Sequence, residues 1–260
     1  MDAVALWQFF AYSDAISEVV VMDLAEPNLI STEYRPDKLL DIFQCPSRVG
    51  SPVVLFWHGS GPNERDALST LASAVNKQGA VCLVPDWQSD TNAEGRKNLL
   101  DSITFARKEA ETYGGDPTRI SLCGWSLGAN AAADLTLHPD VIEGWRPNAF
   151  VGIAGGYDKS PITDGALTDH MTSEPDVPCL LVHGTEDHVV DVQRSRDSHE
   201  ALLGWGWKST LREVGTDHAG IIGTRYDPQK NRCLPTNELE RVEAVNAVAN
   251  WIYAHVTSGA

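Results

Sequence analysis

The chain has 260 residues, 42% of them hydrophobic and 22% charged, with 14 prolines against 21 glycines, which excludes a collagenous, low-complexity or largely disordered protein. Thirty-six acidic residues against 20 basic ones give a formal charge of −16, so phosphate backbones and anionic membrane surfaces are repelled and nucleic acid is a poor partner. No segment approaches the roughly 18 consecutive apolar residues of a membrane span. An acid at Asp2, where a secretory signal carries basic residues, leads us to expect a cytoplasmic protein. Five cysteines (Cys45, Cys82, Cys123, Cys179, Cys233) stand at irregular spacing with no CxxC pair. That argues against a disulfide framework or a zinc site, and for Cys82, Cys123 and Cys179 as small core side chains.

In chain order, Glu18 to Asp23 and Lys38 to Phe43 read as two strands at an antiparallel edge. Continuous apolar runs follow at Pro52 to Trp57, Ala80 to Pro85, Arg119 to Cys123, Ala149 to Ala154 and Pro178 to His183, as in strands covered on both faces. Lys208 to Val214 reads as a further strand. Helical patterns separate the runs. Asp66 to Gln78 and Leu127 to His138 read as helices, and Leu99, Ile103, Ala106, Ala110 and Tyr113 share one helix face. Val242, Val245, Ala249, Ile252 and Val256 do the same near the C-terminus. Strand alternating with helix predicts an α/β protein with a mostly parallel central sheet and helices on both faces. No break in composition divides the chain, so one domain is expected, with residues 1 to 32 an extension holding a possible edge strand and 33 to 256 the core.

In such a sheet, ligands bind beyond the carboxyl ends of the strands. There the sequence becomes specific. Gly124-Trp125-Ser126-Leu127-Gly128 follows one strand and opens an alanine-rich helix, the context in which G-x-S-x-G makes a nucleophile elbow. The glycines relieve crowding around a strained serine, and the N–H of Leu127 points at the same spot as the helix N-terminus. His58-Gly59-Ser60-Gly61 follows an earlier strand; its small residues let a backbone N–H approach a substrate oxygen, that of Ser60 or alternatively Gly61.

Serine needs a base, and the base needs an orienting acid. Asp187 lies about four residues past a strand end, His218 follows the strand Lys208 to Val214, and Ser126, Asp187, His218 is the chain order of this hydrolase geometry. Of the other histidines, His58 and His183 read as structural, and His188 as lining the site. His138, His170, His199 and His255 read as surface residues, and Asp217 as too close in sequence to turn back onto His218. Strand-end position nominates Trp87, Gln88, Trp125, Tyr157, His188 and Ile222 as pocket residues. No metal-ligand spacing appears.

The turn His58-Gly59-Ser60-Gly61, the serine elbow, His183-Gly184-Thr185-Glu186-Asp187 and Asp217-His218 together resemble the α/β-hydrolase superfamily across about residues 33 to 256. Tyr113-Gly114-Gly115-Asp116-Pro117 before the elbow and Gly152-Ile153-Ala154-Gly155-Gly156-Tyr157-Asp158 after the next strand are similar to its carboxylesterase and lipase branch, which includes feruloyl-esterase-like and kynurenine-formamidase-like proteins. Ser60 departs from the His-Gly-Gly-Gly of the hormone-sensitive-lipase group. The resemblance implies an α/β-hydrolase fold and a cofactor-independent serine hydrolase of small carboxylic esters. An amidase (arylformamidase-like), thioesterase or acyltransferase on the same triad stays open, as does, more distantly, a non-catalytic binding protein. Ala154 to Pro178 leaves about two dozen residues where many members carry a helical cap. We therefore expect no cap domain, and an open site roofed at most by that loop and by Ala219 to Thr236.

Overall fold

The computed structural model describes residues 29–45, 48–87, 89, 92–167 and 177–258. Its centre is an eight-stranded sheet built from β1 (Leu29–Arg35), β2 (Lys38–Phe43), β3 (Ser51–Trp57), β4 (Val81–Pro85), β5 (Gly115–Trp125), β6 (Phe150–Ile153), β7 (Cys179–Gly184) and β8 (Ser209–Val214). The spatial order is β1-β2-β4-β3-β5-β6-β7-β8. The pairs β1–β2 and β2–β4 are antiparallel, and every later pair is parallel. The expected antiparallel edge is present with a different outer strand. The run at 18–23 lies outside the described residues, and β1 occupies the edge. Its sequence Leu-Ile-Ser-Thr-Glu-Tyr-Arg is largely exposed, so it carried no apolar signal.

Every residue of β3 and β4 is buried, because helices cover both faces. On one face α1 (Ser69–Gln78) and α5 (Leu239–Thr257) set Leu71, Val75, Val245, Ala249 and Ile252 against Val54, Phe56, Cys82 and Cys123. On the other, α2 (Asn92–Glu109) and α3 (Leu127–Leu137) set Leu99, Ile103, Ala106 and the α3 alanines against Leu55, Trp57, Leu83 and Leu122. Each fully buried aliphatic side chain contributes about 1.5–3 kcal/mol. Cys82, Cys123 and Cys179 lie buried within β4, β5 and β7, as small core residues do.

Two features escaped the sequence patterns. Helix α4 (Gln193–Gly204) buries only Ser195, Ser198 and Leu202, a stripe too polar to read as amphipathic. A two-stranded antiparallel hairpin, β9 (Thr224–Asp227) with β10 (Arg232–Pro235), stands outside the main sheet. Among the described residues between β6 and β7 there are only turns and bends, with no cap helix. Among the described residues no helix is long and apolar enough to cross a membrane.

Candidate active site

Ser126 is the single residue between β5 and α3. Its φ of 57° and ψ of −122° are unfavourable for a side chain bearing a Cβ, so the surroundings must impose them. The Ser126 N–H donates to the Ile153 carbonyl at 2.8 Å, and its own carbonyl accepts from the Ala129 N–H at 3.0 Å. The flanking glycines are obligatory for space. A Cβ on Gly124 would overlap the Gly128 carbonyl, and one on Gly128 would overlap the carbonyl of Trp57 at the end of β3. Leu127 is the first residue of α3, so its N–H is among those that a helix leaves without an intrahelical partner, at the positive end of the dipole.

The loops after β7 and β8, which carry Asp187 and His218, are stitched together. Thr185 N–H donates to the Val214 carbonyl (2.9 Å) and Glu186 N–H to that of Thr216 (3.1 Å). A Cβ on Gly184 would collide with the Thr216 carbonyl. Asp187 Oδ1 accepts the N–H groups of Val189 (2.8 Å) and Val190 (2.9 Å), while Oδ2 accepts His218 Nδ1 at 2.6 Å. His183 Nε2 lies 3.3 Å from the same oxygen. Burial works against a charged Asp187, but hydrogen bonds from His183 and His218, the imidazole charge and the Val190 N–H outweigh it and hold the carboxyl well below the usual carboxylate range. With Nδ1–H engaged by the carboxylate, Nε2 of His218 is the nitrogen left to accept a proton. The indole N–H of Trp125 donates to the His218 carbonyl (3.0 Å) with the two rings 5.1 Å apart. The residue beside the serine thus also holds the histidine.

Ser126, His218, Trp125 and Ser60 line one cavity of about 630 Å³. Asp187 lies behind His218, 7% exposed. His188, Val189 and Glu186 line the cavity, and so do Tyr226, Asn231, Arg232 and Cys233 of the hairpin. The hairpin falls within Ala219 to Thr236, the segment expected to roof the site. The other expected roof, Ala154 to Pro178, contributes no lining residue among those described. Acids predominate around the cavity: Glu64, Glu186 and Asp217 against Arg232.

Three nominated pocket residues are not there. Trp87 is fully buried, its indole N–H on the His58 carbonyl at 3.0 Å. Ile222 is buried in the core with α1 and α5. Tyr157, at φ 56°, folds its phenol back against Gly152 beneath β6, where burial pushes its pKa far up. A strand end fixes where a loop starts, and these loops turn their large side chains inward. Gln88 lies outside the described residues. Of the two oxyanion alternatives, Gly61 already donates its N–H to Ser89 Oγ at 2.7 Å. Asp217 faces away from His218, bound by Arg241 at 2.6 and 2.7 Å.

The remaining histidines serve the scaffold. His58 is wholly buried, which lowers its pKa to about 4, and His183 bonds Ser195 Oγ (2.6 Å) and the Val190 carbonyl (3.0 Å). His138, His199 and His255, expected on the surface, are half-buried; His199 Nδ1 contacts Ser209 Oγ and His255 Nε2 the Pro178 carbonyl. His170 lies outside the described residues. The hairpin gives no strand signal in the sequence, because Thr224–Asp227 and Arg232–Pro235 have four residues each and neither is a continuous apolar run.

No protein-family model matches the chain. Esterase LipC of Mycobacterium tuberculosis is 28% identical over 216 residues, covering 64% of this chain and 52% of that protein. A probable isoprenylcysteine alpha-carbonyl methylesterase of Oryza sativa subsp. japonica is 30% identical over 148 residues, covering 50% of this chain and 34% of that protein. This chain spans about half or less of the length of these curated relatives. Among solved structures, esterase 2 of Thermogutta terrifontis phosphorylated by paraoxon superimposes with a TM-score of 0.68 at 18% identity, over 89% of this chain and 95% of that one. A truncated carbohydrate esterase from gut microbiota gives 0.66 at 18% identity, over 90% and 99%. This chain therefore has the α/β-hydrolase fold and sequence similarity to proteins named as an esterase and a methylesterase.

Proposed function

We propose that the protein is a serine carboxylesterase of small esters, working through Ser126, His218 and Asp187. The observation that carries this reading is that Ser126, held in a strained turn, shares one cavity with a histidine already hydrogen-bonded to a buried carboxylate. Ser126 Oγ attacks the ester carbonyl carbon as its proton passes to His218 Nε2, and the carbonyl π electrons move onto oxygen. Asp187 keeps the imidazole in the accepting tautomer and stabilises the imidazolium. The N–H groups of Leu127 and Ser60 hold the oxyanion. Collapse of the adduct breaks the C–O bond to the alcohol, which leaves with the proton from His218. Water then repeats the sequence on the acyl-enzyme and releases the acid.

The esterase names of the relatives support ester over amide or thioester, and Thermogutta esterase 2 is known with butyrate bound, in keeping with a small acyl group. No metal or cofactor enters any step. The acidic lining disfavours carboxylate-bearing substrates and speeds release of the carboxylate product. The odd, scattered cysteines favour a reducing, cytoplasmic setting. The test is turnover of short p-nitrophenyl esters, thioesters and formamides by the wild type and Ser126→Ala. Hydrolysis that is fastest on esters and abolished in the folded variant is the expected result; unchanged turnover in Ser126→Ala refutes the assignment.

A further inference from the structure

Beside the nucleophile and its base, one polar side chain holds the loop that carries the Ser60 N–H. Ser89, in the segment after β4, is 9% exposed. Its Oγ accepts the Gly61 N–H at 2.7 Å and lies 2.9 Å from the Gly61 carbonyl and 3.1 Å from that of Gly59; its N–H donates to the Gly61 carbonyl at 3.1 Å. A hydroxyl has one hydrogen to give. Either carbonyl can take it, while the accepting role toward Gly61 is constant. Four backbone contacts from one residue thus converge on a turn of three.

We propose that Ser89 is a positioning residue for the oxyanion peptide, turning the Gly59–Ser60 unit so that the Ser60 N–H faces the cavity. The direction follows from peptide geometry. There is no cis bond among the described residues, and in a planar trans peptide the C=O and the following N–H point to opposite sides. The Gly59 carbonyl faces Ser89 Oγ and His58 Nδ1, the latter at 2.9 Å, on the buried side. The Ser60 N–H therefore faces the other way, where Ser60 lines the cavity with Ser126. The loop is also close enough to act on the reaction: a Cβ on Gly59 would stand 3.1 Å from Ser126 Cβ.

Trp87, two residues before Ser89, is itself held in place. Asn98, fully buried on α2, donates to the Trp87 carbonyl at 3.0 Å, and the Trp87 indole donates to the His58 carbonyl at 3.0 Å. Without the Ser89 hydroxyl, the Gly61 N–H and one glycine carbonyl lose a buried partner, and the shortest path to new ones is rotation of the loop. That rotation moves the Ser60 N–H away from the developing charge, where misplacement by a fraction of an ångström is felt.

The inference rests on the esterase reading, and the experiment separates the two. Wild type, Ser89→Ala and Ser89→Thr are assayed on p-nitrophenyl butyrate and with an alkyl boronic acid, whose tetrahedral serine adduct uses the same donors. Ser89→Ala is expected to lower kcat roughly 10- to 100-fold with KM within about twofold, and to weaken the boronic acid by the same factor as kcat/KM, while Ser89→Thr recovers most of the rate. If Ser89→Ala does not fold, Ser89→Cys, similar in size but a poorer acceptor, carries the same expectation. A Ser89 variant that matches an active wild type, or that loses activity through KM alone, overturns this inference only. A wild type that hydrolyses nothing and takes no fluorophosphonate overturns the functional reading, and the inference with it.

Discussion

Two parts of the lining of the cavity that Ser126 and His218 share are built on different physical terms. The floor, with Trp125, Ser126 and His218, hangs from the ends of β5 and β8 and is locked by parallel-sheet register, by loop-to-loop hydrogen bonds and by glycines with no room for a Cβ. The hairpin wall, with Tyr226, Asn231, Arg232 and Cys233, is four-runged and stands outside the sheet. Arg232 ties it to the loop after β3, through the Asn63 carbonyl at 2.8 Å and Asp66 at 2.6 Å. Tyr226 is 50% exposed, and Val189, which also lines the cavity, is 74% exposed. On the proposed function the chemistry falls to the floor, and substrate contact to the hairpin, which Arg232 anchors through partly exposed ion pairs to Glu64 and Asp66 worth at most about 1 kcal/mol each. Changes on the floor should be costly, and changes on the wall cheap and selective.

The largest effect should come from the acid beneath the floor. Asp187→Asn is expected to reduce kcat by about three to four orders of magnitude, since the amide no longer fixes the accepting tautomer of His218. Asp217→Asn, next to His218 in sequence but paired with Arg241, should cost less than about tenfold, because it bears on the loop and not on the imidazole. Steady-state kinetics of the two variants decide which carboxylate serves the base. Equal losses would break the contrast.

Next comes a pH effect on the floor's support. His58 is wholly buried with its pKa lowered to about 4 from 6.5. The unfolded chain therefore takes up a proton that the folded one refuses, and stability falls as pH drops from about 6.5 to about 4, by about 3 kcal/mol in all. Asp187, also held low, adds to the loss below about pH 4, where carboxylates of the unfolded chain become protonated. Urea unfolding against pH measures this. In His58→Asn, whose amide can replace the Nδ1–H donor without titrating, the slope between pH 6.5 and 4 should flatten; an unchanged slope would assign it elsewhere.

Smaller effects belong to the wall. Tyr226→Ala should raise KM for aryl esters by about threefold to tenfold and leave kcat and unfolding free energy near wild type, since the ring is half in water. Smallest of all, a carboxylate-bearing ester should show a higher KM than its neutral analogue. The gap should narrow with salt and in Glu186→Gln. A gap indifferent to salt would reduce the acidic lining to a solubility trait.

The same division governs what could be read from sequence. Buried parallel strands announce themselves as continuous apolar runs, and the elbow is legible because Gly124 and Gly128 have no alternative. The positions of Asp187 and His218, just after β7 and β8, are legible as strand ends. Strand-end position nominates Trp87, Tyr157 and Ile222 for the pocket but says nothing about which way a loop turns, and the positive φ of Tyr157 is not written in its residue type. The roles of Ser89 and of the hairpin carry no signal of their own for a related reason. Their roles are hydrogen bonds and ion pairs between segments far apart in the chain, such as Arg232 with Asp66, and these leave no local pattern.

The most direct test of the account is the mass of the protein after exposure to a fluorophosphonate, with the adduct mapped by peptide sequencing. The account predicts one adduct, on Ser126, absent in Ser126→Ala and formed far more slowly in Asp187→Asn. No adduct on the folded wild type, or an adduct on Ser60 in place of Ser126, would contradict it.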